Sequence, residues 1–164
     1  MAVALAAGLS GMAARLSADH LADATGLAER ADRLRQRVAP LAQEDATAYG
    51  YVLAAYRSQD DGAHGVRRER HRMALSGAAD VPLAIAEAGA EVAEIAARLA
   101  REGKPNLRGD AVTAALLAEA GVRAAAVLVE INMKAGEVSD DRVERAGELV
   151  ANAGTARWIS EGNG

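Results

Sequence analysis

Apolar residues recur at Leu27, Ala31, Leu34, Val38 and Leu41, and the same steps of four and three continue through Asp45 to Ala48, Val52 and Ala55. That spacing is one face of a 3.6-residue helix packed on other helices; a half-buried strand would alternate at every second residue. Pro40 falls inside the pattern, where the missing N–H and the ring clash must kink the helix or split it. Asp45 stands where the periodicity asks for a core residue. Burying a carboxylate without partners is costly. Asp45 therefore either takes a hydrogen bond from a neighbouring helix or serves as a general acid/base or ligand anchor. Glu44 precedes it and Tyr49 lies one turn beyond, so both are candidate substrate-binding neighbours.

The rest of the chain repeats the helical theme. Alanine makes up about a quarter of the residues, there are three prolines and no Phe, and aromatics are 2%. A sandwich or barrel would draw on aromatic and β-branched residues, whereas this is the composition of close-packed helices. A first helix is expected from Ala2 to Ser17, its Gly8, Ser10 and Gly11 leaving a smooth face for a neighbour. Ser58 to Gly65 reads as a loop, and Arg67 to Arg72 as part of a short charged helix ending near Ala79. Asp80 and Pro82 suit the start of the next helix, with Glu94 and Arg98 as an i,i+4 pair. Gly103 and Pro105 stop it. A long helix from Asp110 to Ala135 is apolar almost all round, and a last helix runs from a Ser139 cap to about Trp158. The expected architecture is all-α, a bundle of five or six helices around a long apolar central one.

With 164 residues, one domain over residues 1–159 and a frayed tail at 160–164 are expected. Cysteine is absent, which removes disulfides and thiolate chemistry. The net charge of −4 lowers the prospect of binding the phosphate backbone of nucleic acid. Residues 2–14 are small and apolar but have no cation before them, unlike a secretory leader. No stretch reaches the ~18 uninterrupted apolar residues of a membrane span. The expectation is a cytoplasmic protein, with no nucleic-acid or membrane partner.

Few residues could carry chemistry. There is no GxGxxG, Walker A, HExxH or G-x-S-x-G motif, and no Glu-x-x-His pair of the di-iron type, so no metal is expected. The run from Val66 to Arg72 is either a solvated helix face or an anion site for a phosphate or carboxylate tail. Asn106 and Asp110 precede the most apolar helix, as caps or as polar groups facing a ligand. Asn132 is an amide on a small apolar face, serving a structural hydrogen bond or a subunit contact. Asp110 and Asn132 are separated by roughly 33 Å of helix, so they cannot meet on one small group within a subunit.

Four stretches occur in order: LAQEDATAY at Leu41–Tyr49, VPLAIAE at Val81–Glu87, GKPNLRGDAVTAA at Gly103–Ala115 and VLVEIN at Val127–Asn132. Together they resemble the cyclodeaminase/cyclohydrolase family, the C-terminal domain of formiminotransferase-cyclodeaminase and its free-standing bacterial relatives. The resemblance implies an all-helical homodimer acting on a tetrahydrofolate derivative, with folate as substrate and no other cofactor. It implies formation of 5,10-methenyltetrahydrofolate from the 5-formimino compound with loss of ammonia, or hydrolysis of the methenyl compound to 10-formyltetrahydrofolate. The family's acidic positions fall on Asp45 and Asp110, one of which is expected to transfer the proton, and its asparagines fall on Asn106 and Asn132 as ligand contacts, beside Glu44 and Tyr49 read from the residues themselves. Three departures stand out. Met1 begins after the family's Gly-Gly-Gly-Ser stretch, so the domain is expected to be N-terminally shorter than its relatives. Arg57-Ser58-Gln59-Asp60 replaces a Pro-Lys pair, and Gly103-Lys104 replaces Gly-Asn. These departures keep open the alternative of a non-catalytic helical dimer that binds a ligand or a partner protein.

Overall fold

Pro40 decides the first half of the fold. In the computed structural model, which describes residues 1–57 and 64–162, the stretch from Leu27 to Ala55 is two helices, α2 (Ala24–Val38) and α3 (Leu41–Arg57). They follow α1 (Ala2–Leu16) and precede α4 (His64–Ala78), α5 (Asp80–Glu102), α6 (Arg108–Ala135) and α7 (Arg142–Glu161). A short 3-10 turn at Pro105–Leu107 joins α5 to α6. Among the described residues there is no strand. The architecture is all-α as expected, and the described residues form seven α-helical segments because the proline splits the second helix. Most of the expected loop at Ser58 to Gly65 lies outside the described residues, and Gly65 already belongs to α4.

Asp45 lies beyond the split. Before the proline the stripe is core, with Leu27, Ala31, Leu34 and Val38 all buried. Beyond it α3 buries only Leu41, Val52 and Ala55, and Asp45 is half-exposed. The core position that periodicity assigned to Asp45 is therefore not observed. α3 keeps the register of the stripe, with Leu41, Val52 and Ala55 buried and Asp45 and Ala48 half-covered, but it lies at the edge of the bundle, where that face is only partly covered.

The centre of the bundle is the α5–α6 pair, which shares the most extensive contact in the molecule, with α1 and α7 packed on both. Alanine makes this possible, because a methyl side chain lets helix axes approach closely while losing no rotamer freedom. Ala88, Val92, Ala93, Ala118 and Val122 are fully buried there. Glycine permits the tightest approach. Val3 of α1 inserts between α5 and α6, where a Cβ on Gly121 would stand 2.6 Å from its Cγ2 and one on Gly89 would stand 3.2 Å away.

Several helix ends differ from expectation. Asp80 is the first residue of α5 rather than its cap, and its carboxylate takes Arg142 Nη1 at 2.6 Å. At the start of α7 the capping oxygen belongs to Asp140, not Ser139, and accepts the Arg142 backbone N–H at 3.1 Å. Arg98 pairs with Glu102 at 3.0 Å and Asp23 at 2.5 Å instead of Glu94, because those two carboxylates hold both edges of its guanidinium. The last helix continues to Glu161 rather than ending near Trp158, and residues 163–164 of the expected tail lie outside the described residues.

α6 is buried on one side only. Its inner face includes Ala114, Ala118, Val122, Ala125 and Val129. Its outer face leaves Leu116, Val127, Leu128 and Ile131 exposed at 39%, 54%, 44% and 54%. Among the described residues it is the one helix long and apolar enough to cross a bilayer by length and composition. It also carries Glu119, buried at the α6–α7 contact between Arg123 at 2.9 Å and Arg157 at 3.1 Å.

Candidate functional site

α3 and α4 pack against each other beside the main core and share a small core of their own, Val52, Leu75 and Ala78. Above it an open cavity of about 570 Å³ separates the two helices. One wall is the α3 face of Gln43, Glu44, Thr47, Ala48 and Tyr51, residues three and four apart. The other wall is Met73, Ala74, Gly77 and Ala78 of α4. A polar wall with a carboxylate thus faces an apolar wall, across a space of the size that small-molecule sites occupy. Thr47 donates its hydroxyl to the Gln43 carbonyl at 2.9 Å, so that wall is internally bonded.

Of the predicted site residues, Glu44 lines this cavity directly. Asp45 and Tyr49 do not; they lie about 100° round the helix from Glu44 and Ala48, and Tyr49 is 58% exposed. Asn132, at the far end of α6, donates Nδ2 to the Ala78 carbonyl at 3.0 Å. The structural hydrogen bond open to it from sequence is therefore present, and it holds a residue of the cavity wall from behind. Gln43, Thr47, Tyr51, Met73 and Gly77 were missed. The signal for the α3 members was available, since polar residues at 43, 47 and 51 repeat every helical turn.

Asn106 and Asp110 sit elsewhere. Asn106 is exposed in the 3-10 turn, and Asp110 is half-buried in the first turn of α6. Neither caps the helix, because the cap position is Leu107 and carries no side-chain bond. Their carboxylate and amide stand at the positive end of a long helix. Nearby, buried Ser17 accepts the Lys104 backbone N–H at 3.0 Å, and Lys104 Nζ reaches Asp19 at 3.2 Å. That ammonium holds the Asp19 carboxyl below the usual carboxylate range. One protomer therefore ties the α3–α4 cavity, with Glu44 in its wall, to the last turn of α6 through Asn132 and Ala78, and keeps Asp110, with Asn106 beside it, in the first turn, roughly 33 Å from Asn132.

The basic run forms part of α4. Tyr56, Arg67, Arg68, His71 and Arg72 line a second cavity of about 270 Å³ with Gly136 and Glu137. Its charges are partly matched: Arg68 pairs with Glu137, and Arg72 with Glu69 at 2.6 Å. His71 is fixed by a 2.7 Å contact from Nε2 to the Ala55 carbonyl and by the Tyr56 ring, with centroids 4.4 Å apart. Among the described residues no three His, Asp or Glu side chains gather as a metal site.

Comparison with known proteins gives the family of the chain. Residues 1–149 match the profile of a family described as Formiminotransferase-cyclodeaminase. A methenyltetrahydrofolate cyclohydrolase of Methylorubrum extorquens is 32% identical over 138 residues, which are 81% of this chain and 66% of that protein. The chain thus spans just under two thirds of that relative's length. The crystal structure of a formiminotetrahydrofolate cyclodeaminase from Thermotoga maritima superposes with a TM-score of 0.85 at 26% identity, over 98% of this chain and 82% of that one. From its order of helices to its sequence, the chain belongs to the formiminotransferase-cyclodeaminase family.

Proposed function

We propose that this protein interconverts one-carbon forms of tetrahydrofolate, as a formiminotetrahydrofolate cyclodeaminase or a methenyltetrahydrofolate cyclohydrolase. The observation that carries this reading is the α3–α4 cavity, in a chain whose relatives include one protein named for each activity. A flat, partly apolar heterocycle suits the wall of Met73, Ala74 and Gly77, while its polar edge meets Glu44, Thr47 and Tyr51. Both reactions pass through a tetrahedral carbon between N5 and N10. In the first, N10 attacks the formimino carbon, loses a proton and ammonia leaves. In the second, water adds to the methenyl carbon, loses a proton and the bond to N5 breaks as that nitrogen is protonated. A carboxylate that takes the proton and returns it to the leaving nitrogen serves either reaction. We assign this role to Asp45 or Asp110, with Asn106 orienting the ligand and Glu44 and Tyr49 contacting it.

The separation of the two groups of residues leads to a homodimer. The exposed stripe of Leu116, Val127, Leu128 and Ile131 fits burial against a second copy. A two-fold axis near Ala124 would run the two α6 helices antiparallel. It would set the first turn of one, with Asp110 and Asn106, near the last turn of the other and its α3–α4 cavity. The site is then completed by two chains.

The test follows the methenyl absorbance with purified protein and each folate in turn. Faster appearance from the 5-formimino substrate identifies a cyclodeaminase, and faster loss of the methenyl compound identifies a cyclohydrolase. Full turnover in both Asp45→Asn and Asp110→Asn would sink the assignment of the proton-transfer group. Binding without turnover would favour the non-catalytic dimer.

A further inference from the structure

We propose that Arg142 is a positioning residue for the α3–α4 cavity, an inference that rests on the folate reading of that cavity. Apart from Leu41 at the start of α3, which sits in the main core, the α3–α4 pair has only a small apolar core of its own. Beyond that anchor and the packing of α4 on α5 and α6, its placement rests on polar joints to the rest of the bundle. α7 packs on α5 and α6, and Arg142, its first residue, reaches past them to the last turn of α4. There its Nη1 donates to the Ser76 carbonyl at 2.7 Å and its Nη2 to the Ser76 hydroxyl at 2.7 Å. Both bonds fall on one residue, so the planar fork fixes orientation as well as distance.

The arginine is itself held. Asp140 receives its Nε and Nη2, the latter at 2.8 Å, and Asp80 receives Nη1 at 2.6 Å. Its side chain is only 17% exposed. Ser76 is flanked by the wall residues Ala74, Gly77 and Ala78, and the Ala78 carbonyl is taken by Asn132 from α6. Backbone carbonyls at a helix C-terminus have no partner within the helix. Here two of them are bound by side chains of two other helices. Arg142 therefore sets where the apolar wall stands relative to the carboxylate wall on α3. The proton-transfer groups lie outside this joint, so the effect falls on substrate affinity more than on turnover.

The experiment measures KM and kcat for the preferred folate in Arg142→Met, Arg142→Lys and Ser76→Ala, with Arg98→Met as a control. Arg98 links Asp23 to Glu102 and makes no bond to α4, so its loss reports destabilisation without displacing the α4 wall. In Arg142→Met, KM is expected to rise about tenfold while kcat changes less than about threefold. Arg142→Lys keeps the charge but not the fork, and is expected to leave KM raised. Ser76→Ala loses one of the two bonds and keeps the arginine, so an intermediate KM is expected even if Arg142→Met does not fold. The proposal is overturned if the Arg142 and Ser76 variants keep the wild-type KM, if lysine restores it, or if Arg98→Met raises it equally. A wild-type protein silent toward both folates overturns the functional reading, and the assignment with it. An active wild type with an unmoved KM in the variants overturns the assignment alone.

Discussion

Asp140 shows how a single exposed residue couples charge to stability. The Arg142 guanidinium, and then the Arg142 backbone N–H, hold its carboxyl below the usual range. A group whose folded value is depressed contributes stability that is present above its unfolded value, near about pH 4, and lost as pH falls through the lower folded value. The same sign applies to Asp19 beside Lys104 and to Glu102 beside Arg98. Thermal unfolding followed from neutral to acid pH is expected to show the Tm falling on the acid side, and falling less steeply in Asp140→Asn. Equal slopes would remove Asp140 from the account. Ser10 makes the opposite case. Its hydroxyl is fully buried in α1 and has no hydrogen-bond partner among the described residues. Removing an unsatisfied buried group costs nothing in lost bonds, so Ser10→Ala is expected to be neutral or stabilising by up to about 1 kcal/mol. A lower Tm in that variant would show a partner for the hydroxyl. At this scale the sequence was a partial guide. Asn132 was legible as a structural amide because its helix face is small and apolar. Asp45 keeps the inward face that periodicity gave it, but periodicity cannot say that α3 lies at the edge of the bundle, where that face is only half covered.

The helices themselves were legible wherever their apolar spacing was strong and their ends carried Gly or Pro. α5 between Asp80 and Gly103, and α6 up to Ala135, fall where the sequence put them. What sequence left open was which helices touch, and closeness is where the energy lies. Gly121 and Gly89 sit against Val3, and a Cβ on Gly89 would also stand 2.6 Å from Val122 Cγ2. These contacts are to packed side chains inside the core and cannot be relieved by swinging a flexible tip into water. Gly121→Ala is therefore expected to destabilise by about 1–3 kcal/mol despite the better helix propensity of alanine. For a chain of this length that lowers the Tm by several degrees, on the order of 2–4 °C per kcal/mol. Val3→Ala on the same background should recover part of the loss. A Gly121→Ala protein as stable as wild type would mean that α1 is not wedged between α5 and α6.

For the whole molecule, the main constraint is distance along α6. Its first turn holds Asp110 and its last turn reaches the α4 wall through Asn132, so one protomer cannot close both groups of residues around one ligand. The proposed dimer resolves this with the apolar stripe that the bundle leaves exposed. Ile131→Glu places a charge in that stripe without touching the core and is expected to shift sedimentation from dimer to monomer with loss of turnover. A wild-type monomer at micromolar concentration would contradict the dimer. This level was the least legible in the sequence, because a fully apolar helix reads alike whether its outer face meets its own chain or a second copy.

The most direct measurement of the central claim, folate turnover at a site shared by two chains, mixes two inactive variants. One of Asp45→Asn and Asp110→Asn removes the proton-transfer group and is expected to lose at least about 100-fold in turnover, and the other removes the carboxylate that the second chain brings to the same site and is expected to lose activity with it. Unfolded and refolded together, they form random dimers, of which about half are mixed, and each mixed dimer carries one intact site. The methenyl absorbance assay should then recover about a quarter of wild-type activity. A mixture as silent as either variant alone, while the wild type turns over, would contradict a shared site; a wild type without turnover would contradict the folate reading itself.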